Sequence, residues 1–178
     1  MRKARVVNDP GTTEYPKSWG KCGKMVAAKT LELAGMSREN VGTFLEKYYR
    51  QQSPLMRVLE LNGRGMFPST LADILQKSKL PLEQNDTWQS LQSLLKHNFV
   101  VACLVQHDIK HSPHWVLLLG LDEKQRELFI YEPSATIPHQ ADLPLGNKRQ
   151  HADEFLRCWD KVLLWRRVAF ALPRSATR

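Results

Sequence analysis

The apolar positions along this chain change their period once. Residues 1–20 have no period: prolines, glycines and small polar residues follow one another, and the stretch reads as an irregular arm. From Cys22 onward, Met25, Val26, Ala28, Leu31, Leu33 and Ala34 fall at helical spacings, and Gly35 is placed to end that helix. Ser37 can cap a second helix reaching about Tyr49, with Val41, Phe44, Leu45 and Tyr48 on its inner face. A turn-rich stretch around Asn62, Gly63 and Gly65 separates it from a third helix. That helix starts at Pro68 or Ser69 and turns Leu71, Ile74 and Leu75 inward. Asp86 is placed to cap a fourth, carrying Trp88, Leu91, Leu94 and Leu95.

After Asn98 the pattern becomes that of strands. Residues 99–106 are rich in Val, residues 115–121 are nearly all Leu, Val and Trp, and residues 127–132 form a short alternating run. The first two read as strands buried on both faces. The polar turn at residues 122–126 makes the second and third a hairpin. A loop rich in Pro, Gly and basic residues covers 143–150, a helix is expected over about 152–163, and a last strand over 165–172. Helices first and an antiparallel sheet second is an α+β plan.

At 178 residues, one domain is expected over the whole chain: the arm at 1–20, a helical half at 21–97 and a sheet half at 98–178. Hydrophobic residues make up 42% and charged residues 25%, which is ordinary globular usage and excludes a disordered chain. No apolar run approaches the length of a membrane span. Arg2, Lys3 and Arg5 are followed by no apolar segment, so no secretory signal peptide is expected. That points to the cytoplasm, or to delivery by a route that needs no signal peptide. The net charge of +8 favours an acidic partner without naming one. Basic residues gather at both ends (Arg2 to Arg5; Arg166, Arg167, Arg174 and Arg178), but no aromatic stacking motif interleaves them, and nucleic-acid binding is disfavoured.

Three cysteines are too few for a disulfide framework, and their odd number leaves at least one thiol free. Cys103 falls inside an apolar strand and Cys158 inside the last helix, where packing explains them. Cys22 differs. It stands between Gly20 and Gly23 where the arm becomes a helix, with Lys21 and Lys24 beside it. A helix N-terminus and nearby positive charge both favour a thiolate, and glycines allow another chain to approach the sulfur. His114, at the mouth of the strand after Pro113, can stand in a cleft beside that helix start as a base for Cys22. If the hairpin pairs about residues 122–126, Glu132 comes beside His114. There it either orients the imidazole or is a surface carboxylate at a strand end. His107, Asp108, His111 and His114 form a second constellation that could ligate zinc. Lys110 and Pro113 make it a loop, and no known zinc spacing is completed, so no metal is expected.

In this order, Lys21-Cys22-Gly23 opening an apolar helix, the helix begun near Ser37, Gly63 to Gly65 with the helix at 69–79, His114-Trp115-Val116 and Tyr131-Glu132-Pro133-Ser134 resemble the papain-like cysteine peptidases of the bacteriocin-processing (double-glycine leader) type. The resemblance runs from about Trp19 to Ala135. It implies a helical half carrying the cysteine, packed on a C-terminal antiparallel sheet that carries the histidine, with the cleft between them. It implies a thiol hydrolase cleaving an amide bond in a protein or peptide substrate. Cys22 would be the nucleophile, His114 the general base and Glu132 the third member, where the family usually has Asp before Pro. No organic cofactor or metal is implied. The family commonly places a Gln about six residues before the cysteine as an oxyanion donor. Here Pro16 holds that position and no Gln precedes Cys22, which leaves Ser18, Asn8 and the backbone N–H groups of Cys22 and Gly23 as candidates. The same fold and triad occur in bacterial effectors that deamidate glutamine, and a non-catalytic papain-like binding module is the further alternative.

Overall fold

The computed structural model describes residues 22–55, 66–106, 113–133, 145–162 and 165–175. The arm with Asn8, Pro16 and Ser18, the turn at Asn62 to Gly65, and His107, Asp108 and His111 lie outside them. Helix α1 (Cys22–Leu33) ends where expected: Gly35 takes φ +106°, and the N–H of Met36 donates back to the Leu31 carbonyl at 3.0 Å. The Ser37 hydroxyl accepts from the Asn40 N–H at 3.3 Å and starts α2 (Arg38–Gln51). Pro68 is the first residue of α3 (Pro68–Lys77), where its missing N–H costs nothing.

The fourth helix, α4 (Trp88–Lys96), follows a short strand, β1 (Glu83–Asn85). Its cap is Thr87 rather than Asp86. Thr87 is the residue with extended φ/ψ next to the first helical turn, and its hydroxyl reaches the Ser90 N–H at 3.2 Å. Then come β2 (Phe99–Val105), β3 (His114–Asp122) and β4 (Glu127–Tyr131), followed by β5 (Lys148–His151), α5 (Ala152–Asp160) and β6 (Ala169–Pro173).

All sheet pairings are antiparallel, in the order β1-β6-β2-β3-β4-β5. Side chains alternate across the sheet. Val100, Ala102, Leu104, Leu117, Leu119, Phe170 and Leu172 face the layer of α1, α2 and α3. Val101, Cys103, Val105, Val116, Leu118, Leu128 and Ile130 face α4 and α5, which supply Leu91, Leu94, Leu95, Phe155, Cys158 and Trp159. A helical part packed on an antiparallel sheet is the expected α+β arrangement, and the structure adds helices on the sheet's other face.

Three stretches differ from the sequence reading. Residues 148–150, expected within a loop, form a strand with His151 and pair with β4 from Ile130–Lys148 to Glu127–His151. Only Gln150 of that edge strand is buried, so it shows no apolar alternation. Strand β1, also polar, lies between two expected helices, in the half expected to be helical, and pairs with β6. The last strand starts at Ala169 rather than 165. The residues before it form a turn with Arg167 at φ +55°, held by Arg167 Nε and Nη2 on Asp160 at 2.5 and 3.2 Å. Trp165 instead packs edge-on against Phe67, with centroids 5.6 Å apart.

Candidate active site

Cys22 is the first residue of α1, which puts its sulfur at the helix's positive end. What fixes that helix end is Gly23. It is buried against the sheet, and a Cβ there would run into the Met66 side chain and stand 3.1 Å from Trp115 Cδ1. The close approach locks the helix start onto β3. The Trp115 indole N–H donates to the Met66 carbonyl at 2.8 Å, and the ring stacks on Phe170. The backbone N–H of Trp115 donates to Cys22 Sγ at 3.4 Å, so strand and helix meet at the sulfur.

His114 opens β3, one residue before that contact. Its ring shares a hydrogen bond with the Cys22 sulfur, while Nε2 donates to Glu132 Oε1 at 2.5 Å. With Nε2 committed to Glu132, Nδ1 is the nitrogen left for sulfur. Glu132 is 2% exposed and the His114 side chain 24%. Burial disfavours the charged ring, but the hydrogen bonds to Cys22 and Glu132 and their negative charge outweigh it and raise the His114 pKa from 6.5 to about 9. The residues expected at one site thus stand in series: thiol, imidazole, buried carboxylate. Ser18 lies outside the described residues. Gly23 is the second residue of α1.

Sequence reasoning missed four residues here. Met66 and Trp115 read as core or loop, with no hint that they wedge the helix start. Asn147 and Lys148 sat in the expected loop. The Asn147 carboxamide accepts from the Glu132 N–H at 2.7 Å and donates to the Glu132 carbonyl at 2.8 Å. Lys148 Nζ lies 3.9 Å from Glu132 Oε2. The signal in the sequence was Gly146-Asn147, whose glycine takes φ +72° against the Ile130 carbonyl.

The other described thiols lie elsewhere. Cys103 and Cys158 are buried free thiols, and burial pushes both upward from the ordinary thiol range. Among the described residues, no group of three or more His, Cys, Asp and Glu could hold a metal, and no helix is long and apolar enough to cross a membrane. Arg166 and Arg167 pair with Asp160, and Arg174 Nη2 donates to the Leu119 carbonyl at 2.7 Å, so these three arginines serve internal partners. A cavity of about 300 Å³ opens beside α2 and α3, lined by Tyr48, Gln52, Ser69 and Asp73 among others; Cys22, His114 and Glu132 do not line it.

Two solved structures share this architecture. One is the peptidase domain of Streptococcus ComA, a bi-functional ABC transporter involved in a quorum-sensing pathway. It aligns with a TM-score of 0.59 at 14% identity, covering 90% of this chain and 96% of that one. The other is a C39-like peptidase from Bacillus anthracis, with a TM-score of 0.60 at 12% identity, covering 88% of this chain and 90% of that one. The chain therefore has the papain-like fold of these peptidase domains, as the ordered motifs implied. No protein-family model matches it, and no curated protein matches it in sequence.

Proposed function

We propose that this protein is a papain-like thiol hydrolase that breaks an amide bond in a protein or peptide substrate. The observation that carries the reading is the series Cys22–His114–Glu132, with the imidazole hydrogen-bonded to sulfur on one side and 2.5 Å from a buried carboxylate on the other. In this reading His114 takes the thiol proton and is held as imidazolium by Glu132. The Cys22 sulfur attacks the amide carbon and a tetrahedral oxyanion forms. His114 then returns the proton to the departing amine, leaving a thioester. Water, deprotonated by the same ring, attacks the thioester and frees the acid and the thiol. The Gly23 N–H on the first turn of α1 and the Ser18 hydroxyl of the arm are the proposed oxyanion donors. No metal or organic cofactor takes part.

The test begins without a substrate. Iodoacetamide should modify Cys22 rapidly at neutral pH, and His114→Ala should slow that reaction to the rate of a simple thiol. A slow wild-type reaction, indifferent to His114, would leave a non-catalytic binding module. Mass spectrometry of candidate protein substrates, acidic ones first given the net charge of +8, then assigns the bond. Two new chain ends identify a peptidase. Conversion of a glutamine side chain to glutamate, with the chain intact, identifies a deamidase.

A further inference from the structure

Glu132 stands at an unusual point of the sheet. The β3–β4 ladder ends at the Leu117–Tyr131 pair, and the β4–β5 ladder ends at Ile130–Lys148. Glu132 comes one residue past the end of the first and two past the end of the second, and Pro133, which has no N–H, follows. A carboxylate that must hold an imidazole to within a few tenths of an ångström is thus mounted on backbone that neither ladder grips. The Asn147 carboxamide does the gripping. Its Oδ1 accepts from the Glu132 N–H at 2.7 Å and its Nδ2 donates to the Glu132 carbonyl at 2.8 Å, so a side chain supplies the double contact that a neighbouring strand would otherwise make. Asn147 is itself fixed: its backbone N–H donates to the Ile130 carbonyl at 3.0 Å. Gly146 before it takes φ +72°, where any Cβ would meet that same carbonyl.

We propose that Asn147 is the positioning residue of the Cys22–His114–Glu132 site, setting the place of the Glu132 carboxylate and, through it, the orientation and charge of the His114 ring. The assignment rests on the thiol-hydrolase reading for its purpose, but its geometry and its test do not need a substrate. The carboxamide sets an acceptor and a donor side by side, one for each main-chain group of Glu132. Asp keeps the acceptor for the Glu132 N–H and loses the donor, placing an oxygen against the Glu132 carbonyl. Ala loses both.

The experiment follows the His114 ring resonances of the full chain by NMR through pH 5 to 10, in wild type, Asn147→Ala and Asn147→Asp, with His114→Gln giving the assignment. Thermal unfolding of each variant is measured alongside. The expected result is a His114 midpoint lowered by about one pH unit or more in Asn147→Ala, with Asn147→Asp also lowered, while both variants keep a cooperative transition. Alkylation of Cys22 at neutral pH should slow about tenfold in step with that midpoint. A folded Asn147→Ala whose His114 titrates with the wild type overturns the proposal. So does the loss of cooperative folding in both variants, which would make Asn147 a residue of the fold alone. Failure of the hydrolase reading looks different: wild-type Cys22 would alkylate slowly while the titration still followed Asn147.

Discussion

Replacing Glu132 by Gln removes one charge and almost no volume from the most buried member of the site. The carboxylate is 2% exposed, lies 2.5 Å from His114 Nε2 through Oε1, and has Lys148 Nζ 3.9 Å from Oε2. In Glu132→Gln the amide oxygen can still accept from the ring, but the amide NH₂ then points toward the Lys148 ammonium, donor against donor. More important, the imidazolium loses its counter-charge while its burial remains. Burial still lowers the ring's pKa and the Cys22 hydrogen bond still raises it, so the ring should titrate about one to two pH units below its wild-type value of about 9. At 1.36 kcal/mol per pH unit, the rise from 6.5 to about 9 is worth about 3 kcal/mol. Cys22 shares in that rise, so the part belonging to Glu132 is about 1–3 kcal/mol.

Linkage fixes the sign of the stability change. His114 has a folded pKa above its unfolded one, so its stabilisation is complete below about 6.5 and is lost as the pH rises through about 9. Glu132→Gln should therefore cost about 1–3 kcal/mol in denaturant unfolding at pH 6 and nothing, or a slight gain, at pH 10. NMR titration of the His114 ring checks the midpoint, and urea melts at the two pH values check the energy. An unchanged midpoint near 9, or an equal loss of stability at pH 6 and pH 10, would refute the ion-pair account of this site.

Gly23→Ala should destabilise by about 1–3 kcal/mol and slow Cys22 alkylation, since its methyl group must displace Met66; an unchanged melting temperature would contradict the close packing. Gly42→Ala has open space around its Cβ in the middle of α2, and should raise stability by about 0.5–1 kcal/mol in urea without touching alkylation. Arg174→Met should cost about 1–3 kcal/mol by stranding the Leu119 carbonyl. If it also lowers the His114 midpoint, the bulge at Leu119 and the active site are coupled.

The elements legible in the sequence were those whose burial imposes a period. Helix α1 shows it through Val26, Leu31 and Leu33, and β2 and β3 through unbroken runs that both sheet faces bury. Cys22 and His114 were legible as well, because each stands at an element's first residue with a special neighbour, Gly23 or Pro113. Strands β1 and β5 were not. They are short and polar, and they exist because backbone groups on β6 and β4 need partners, which leaves no trace in side-chain pattern. Asn147 was hidden for the same reason: its partner is the main chain of Glu132, fifteen residues away.

The bulge in β3 explains why the hairpin delivers Glu132 to His114 at all. From Asp122–Glu127 to Gly120–Phe129 the pairing is regular, but Leu118 faces Ile130, so Leu119 has no residue opposite it. Carried on without the bulge, the first register would set Glu132 opposite Leu117, whose side chain faces the α1 layer. With it, one further step puts Glu132 opposite Val116, two residues from His114 and on the same parity as the histidine. A slip of one residue moves a strand by about 3.3 Å and turns every side chain to the other face. A carboxylate there would otherwise point into an apolar layer that offers Trp115, Leu117 and Leu119 but no base. The carbonyl of the extra residue is the one that the Arg174 guanidinium accommodates from β6's C-terminal side. One of the arginines that made the chain's end look like a charged surface is therefore bound up in the register on which the site depends.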